Sequence, residues 1–126
     1  MAAQAVPIEI PHPVPDALVN LIAARFRVLA EPARIRLLDR LRDGEANVSE
    51  LQHATGLSQQ NVSKHLSILH GAGIVARRRE GNFTIYAIAD RSVFELCELA
   101  CGELRRQASE LSAIVGAEGA SKVRGG

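Results

Sequence analysis

The chain has 126 residues with a hydrophobic share of 47%, enough for one domain with a real core. Aromatic residues make up only 3% with no Trp, so the core has to be built from Leu, Ile, Val and Ala, which suits packed helices better than a β-sandwich. The net charge of +1 gives no overall basic surplus; no apolar run approaches the roughly 20 residues of a membrane span, and the start lacks the charged-then-apolar order of a signal peptide.

A soluble, cytoplasmic protein without membrane partners is therefore expected, and two cysteines in one predicted helix point to a reduced compartment rather than a disulfide scaffold. Residues 1–14 contain Pro7, Pro11 and Pro13 and no helical period, and read as an extended or disordered arm. Pro15 and Asp16 suit a helix start, and Leu18, Leu21, Ile22, Phe26 and Leu29 make an apolar stripe over the following turns. Glu31-Pro32 interrupts that helix. Ile35, Leu37, Leu38 and Leu41 carry a second one to Gly44. A short third helix over Val48 to Thr55 turns Val48, Leu51 and Ala54 inward, and precedes a turn at Gly56 as the first half of a helix-turn-helix does.

Gly56 permits that turn and Ser58 caps the helix that follows. Val62, Leu66 and Leu69 recur at helical spacing and face a core. The opposite side carries Gln60, Ser63, Lys64 and Ser67, with Gln59 and Asn61 near the N-terminal end: hydrogen-bonding side chains of the kind that read base edges and touch phosphates. An ordinary surface helix has the same two faces, so the neighbouring elements decide between the readings. Gly71-Ala72-Gly73 ends this helix, and two runs rich in β-formers, Ile74 to Arg79 and Phe83 to Ile88, flank a Glu80-Gly81-Asn82 turn as a β-hairpin. A hairpin after a recognition-type helix is a wing, and Arg77, Arg78, Arg79 and Asn82 stand where a wing meets phosphates or a minor groove. Residues 57–91 hold five Lys or Arg against two acids, a local positive balance that the whole chain lacks.

Asp90-Arg91-Ser92 opens a last helix running to about Val115, with Val93, Leu96, Cys97, Ala100, Cys101, Leu104, Ala108, Leu111 and Val115 along one seam. So long a seam needs a partner. A second copy, packed through the first and last helices across a two-fold axis, supplies one, and a homodimer is expected. Residues 116–126 are glycine-rich and read as a mobile tail, leaving 15–115 as the folded domain. The expected fold is mainly α with a β-hairpin: about five helices and a two-stranded wing.

The stretches Leu29-Ala30-Glu31-Pro32-Ala33-Arg34-Ile35-Arg36-Leu37-Leu38, Val48-Ser49-Glu50-Leu51, Gly56-Leu57-Ser58-Gln59, Val62-Ser63-Lys64-His65-Leu66, Ala72-Gly73-Ile74-Val75 and Arg78-Arg79-Glu80-Gly81, ending in Tyr86, resemble the ArsR/SmtB family of bacterial winged-helix repressors. The resemblance implies a homodimer that binds an inverted repeat in an operator and releases it when an inducer binds. Ser58, Gln59, Gln60, Asn61, Ser63, Lys64 and Ser67 then form the DNA face with Arg77, Arg78, Arg79 and Asn82, the two recognition helices entering major grooves about 34 Å apart. Gln59, Gln60, Asn61 and Ser63 are then the candidate base readers, and Lys64 and the wing arginines are expected mainly to fix register on phosphates. His65, on the flank of the buried stripe, reads as a structural hydrogen-bonding residue in preference to a base contact.

The inducer is less legible. Family members that bind arsenite at the third helix have a Cys-Val-Cys pattern where this chain has Leu51-Gln52-His53-Ala54. Members that bind zinc on the last helix use acids and histidines where this chain has Asp90-Arg91-Ser92, Gly102 and Arg105, and His53, His65 and His70 lack metal-ligand spacing. Cys97 and Cys101 remain, one turn apart, and three readings stand: small apolar residues in a dimer seam, a soft-metal or metalloid site completed across the dimer or by His12, or a thiol switch. No phosphate loop, nucleophile elbow, metal-protease helix or paired-carboxylate cleft occurs, so neither an enzyme nor a required cofactor is expected. A regulator without a small-molecule inducer and a protein-binding winged helix are the alternatives; the polar recognition face and basic wing favour DNA.

Overall fold

A computed structural model describes residues 9–125, with side chains through residue 116. The order is α1 (Asp16–Leu29), α2 (Pro32–Arg42), β1 (Ala46–Asn47), α3 (Val48–Thr55), α4 (Gln59–Gly71), β2 (Val75–Glu80), β3 (Phe83–Ile88) and α5 (Ser92–Gly125). The chain divides into two units between Ala89 and Asp90, α1 to β3 in the first and α5 in the second.

Local chemistry sets most of these boundaries. Pro32 occupies the first turn of α2, where its missing N–H costs nothing, and the Glu31 carbonyl accepts from Arg34 and Ile35 at 2.9 and 3.1 Å. A reciprocal capping box opens α3: Asn47 Oδ1 accepts from the Glu50 amide at 2.8 Å, and the Glu50 carboxylate accepts from the Asn47 amide at 2.9 Å. Gly56 ends α3 in the left-handed region at φ 76°, its amide donating to the Gln52 carbonyl. Between β2 and β3 only Gly81 and Asn82 are unpaired, and Gly81 takes φ 63° at the first loop position, as a type II′ hairpin turn requires.

The core of the first unit lies where α2, α3 and α4 meet the sheet. Leu37, Leu51, Val62, Leu66, Leu69 and Ile74 expose nothing, and Leu38, Leu41, Val75 and Tyr86 close the edges. Burying Val62, Leu66 and Leu69 stabilises the unit by about 1.5–3 kcal/mol each, which fixes the rotation of α4 about its axis. Ala54, expected inward, is exposed, as is Ile35 of α2. α1 buries no side chain: Leu21 and Phe26 of its stripe are 67% and 53% exposed.

Two expectations are corrected. The sheet has three strands in the order β1-β3-β2, because Ala46 and Asn47 pair antiparallel with Tyr86 and Ile85 ahead of α3; the wing is thereby hydrogen-bonded to the start of the helix-turn-helix. The last helix runs to Gly125 rather than to about Val115. Gly116 and Gly119 each cost only about 1 kcal/mol relative to Ala, and no proline follows to stop the helix. Of the expected arm, residues 1–8 lie outside the described residues, as does residue 126 of the expected tail; residues 9–14 form neither helix nor strand.

Candidate nucleic-acid interface

Ser58 sits in extended backbone at the start of α4, and its hydroxyl accepts from the Asn61 amide at 3.1 Å. One orphan amide is thereby satisfied, while the positive end of the helix dipole stays at the surface. Because Val62, Leu66 and Leu69 face the core, Gln59, Gln60, Asn61, Ser63, Lys64 and Ser67 must face away from it, and all six are exposed. From Gln59 to Ser67 this polar strip is about 12 Å long, and an α-helix fits the width of a major groove.

The wing stands beside the start of that strip. Asn47, Val48, Ser49 and Gln52 around the beginning of α3, Gln59 on α4, and Asn82, Phe83 and Thr84 at the hairpin turn line one open cleft of about 390 Å³. The starts of α3 and α4 and the wing turn thus border one cleft.

Successive side chains of a strand point to opposite faces, so Arg77 and Arg79 share one face of β2 and Arg78 takes the other. Arg78 is committed within the protein: its guanidinium donates to both Glu45 oxygens, at 2.7 and 2.8 Å, and to Glu80 at 3.2 Å. The charge-assisted bonds that Arg78 makes to it hold the Glu45 carboxyl below the usual carboxylate range. Arg79 approaches the Thr84 hydroxyl across the hairpin at 3.5 Å, and Arg77 is registered opposite Tyr86; both arginines are exposed. Glu45, 33 positions from Arg78 and in no motif, decides which wing arginine is engaged inside the protein.

The family profile described as "Bacterial regulatory protein, arsR family" matches residues 31–77, from the start of α2 into the wing. The HTH-type transcriptional regulator Rv0081 of Mycobacterium tuberculosis is 41% identical over 101 residues, covering 79% of this chain and 89% of that protein. This chain belongs to the ArsR family. The crystal structure of M. tuberculosis Rv0081 agrees with it at a TM-score of 0.69 over 76% of this chain and 97% of the other. The homodimeric winged helix-turn-helix DNA-binding domain of Mb0332 from Mycobacterium bovis is 31% identical, with a TM-score of 0.59 over 79% of this chain and 87% of that one. A probable mercury resistance operon repressor of Streptomyces lividans is 38% identical over 92 residues, 73% of this chain and 70% of that protein. Its relatives are thus transcriptional regulators and repressors, and the fold is that of a winged helix-turn-helix.

Two further features of this ArsR-family chain bear on function. His65, half-buried on the flank of α4, lies with Nδ1 3.1 Å from Nη1 of Arg34, which gives it the hydrogen bond expected of a structural residue. On α5, Cys97 and Cys101 are both free thiols and both exposed. Among the described residues no three His, Cys, Asp or Glu side chains gather as a metal site, and no helix is long and apolar enough to cross a membrane.

Proposed function

We propose that the protein is a homodimeric repressor that reads an inverted-repeat operator with α4 and is released when an inducer reaches Cys97 and Cys101. The observation that carries the DNA reading is the exposed polar strip of α4, whose first residue, Gln59, lines the same cleft as the wing turn. Gln59, Gln60, Asn61 and Ser63 read bases; Ser58, Lys64, Ser67, Arg77, Arg79 and Asn82 hold phosphates and register. Arg78 contributes after exchanging Glu45 for a phosphate, or by keeping the wing in place.

A thiophilic inducer suits the last helix: two exposed thiols one turn apart are soft donors, and mercury, named for the Streptomyces relative, is a soft metal. A third donor for a metalloid would come from a second copy. Oxidants and reactive sulfur species act on the same atoms.

The deciding experiment measures binding to DNA selected by the protein from a random pool, against bulk random DNA, over a salt series. Gln60→Ala should lose about 1–3 kcal/mol on selected DNA and little on random DNA, whereas Arg79→Ala should weaken both alike and flatten the salt slope by about one unit. Equal loss on both DNAs for Gln60→Ala would remove it as a base reader.

A further inference from the structure

α1 buries no side chain fully, its apolar Leu18, Ile22, Val28 and Leu29 being half-buried, and polar contacts tie it to α2 and α4. Arg25 Nη1 donates to the carbonyl of Ala72, the cap residue ending α4, at 2.8 Å. From α2, Arg34 donates through Nε to the Val28 carbonyl at 2.6 Å and through Nη2 to the Arg27 carbonyl at 3.3 Å, both in the last turn of α1. The same guanidinium reaches Nδ1 of His65, midway along α4, at 3.1 Å. Arginine has only donors, so Nδ1 is the acceptor and the ring is neutral with its proton on Nε2.

Resting on the DNA reading above, we propose that Arg34 and His65 are positioning residues of the recognition helix: with Arg25 they couple α1 to α4, and they hold α4 in its reading position only while His65 is neutral. Protonating Nδ1 sets donor against donor and cation against cation. The charged groups facing the ring are Arg34 of α2, Glu31 at the α2 cap and Lys64 on α4; the two cations oppose protonation and Glu31 favours it. Partial burial, followed by Arg34, keeps the ring's pKa below its ordinary 6.5. The sign follows: the fold favours neutral His65, so the coupling is complete above the ordinary value and is lost as pH falls through the lower folded value. Where α1 serves the proposed homodimer interface, the same contacts link that interface to the DNA face.

The test is operator binding by fluorescence anisotropy from about pH 8 to pH 5 at fixed ionic strength, with helicity followed by circular dichroism. The ratio of selected to random DNA affinity should fall on the order of tenfold for wild type, the effect of losing one charge-assisted hydrogen bond. The direction is informative, because added positive charge alone tightens binding to DNA. His65→Asn, which keeps an acceptor but cannot titrate, should retain the pH 8 ratio and flatten the profile. Arg34→Gln should show a low ratio at every pH with helicity intact. A His65→Asn profile that follows wild type, or an Arg34→Gln ratio equal to wild type, overturns the coupling. Wild type that binds neither DNA at pH 8 overturns the DNA reading itself, and the coupling with it.

Discussion

Cys97 and Cys101 differ from most cysteines in being open to solvent. Side chains one turn apart on a helix have Cβ atoms about 5–6 Å apart, whereas a disulfide requires roughly 3.5–4.5 Å, so oxidation within one α5 would distort the helix. A thiol response must therefore join two subunits, leave a capped thiol, or capture a soft ion. Titrating the protein–operator complex with mercury(II), arsenite, oxidant and persulfide should release wild type through at least one of them, with an affinity change in the 5–150-fold range usual for allosteric coupling. The Cys97→Ser and Cys101→Ser double variant should stay bound; release of the double variant at wild-type concentrations ends the thiol assignment. At the same scale, what sequence can disclose depends on chain separation. The Ser58 cap is legible because its partner is three residues away, whereas Arg78 finds Glu45 across 33 positions and Arg34 finds His65 across 31. Counting arginines near the wing tip gives their charge but not their commitments.

The element proposed to read DNA, α4, is specified from both sides. Its start is a local matter of a left-handed glycine followed by a capping serine, and its face is a matter of helical period; both are readable before any tertiary contact forms. β1 is not, because two residues carry no periodicity and pair only once β3 is beside them. The end of α5 escapes for the opposite reason: glycines weaken a helix without ending it, and only geometry tells the two apart. These contributions can be ranked on α4. At Gly56 an added Cβ meets nothing within 4 Å, so Gly56→Ala is charged only with the positive φ, about 1–2 kcal/mol. Leu66 is wholly buried, and Leu66→Ala should cost about 2–5 kcal/mol through lost transfer energy and a cavity. Chemical denaturation of the two variants should give that order. A larger loss at Gly56 would mean that the turn, rather than the core face, governs the placement of the helix.

The molecule as a whole leaves more apolar surface uncovered than its own chain accounts for. In the first unit Leu21 and Phe26 of α1 are exposed; in the second, Leu99, Leu104 and Leu111 of α5 are 73%, 64% and 62% exposed. Scattered exposed leucines need no explanation, but helices whose apolar stripes lack cover do. In the proposed homodimer a second copy would cover the stripe of each unit, and two-fold symmetry would give the pair two recognition helices to set in successive major grooves. Light scattering at micromolar concentration should therefore give twice the 13.5 kDa chain mass. Leu21→Glu with Phe26→Glu, and separately Leu104→Glu with Leu111→Glu, should shift the mass toward one chain and reduce operator affinity, because each monomer then reads a single half-site. Helicity should be little changed, since the substituted side chains are exposed within the chain. A monomeric wild type, or charge-substituted variants that remain dimeric with unchanged operator affinity, would remove α1 and α5 as the interface and leave their apolar stripes to a different partner.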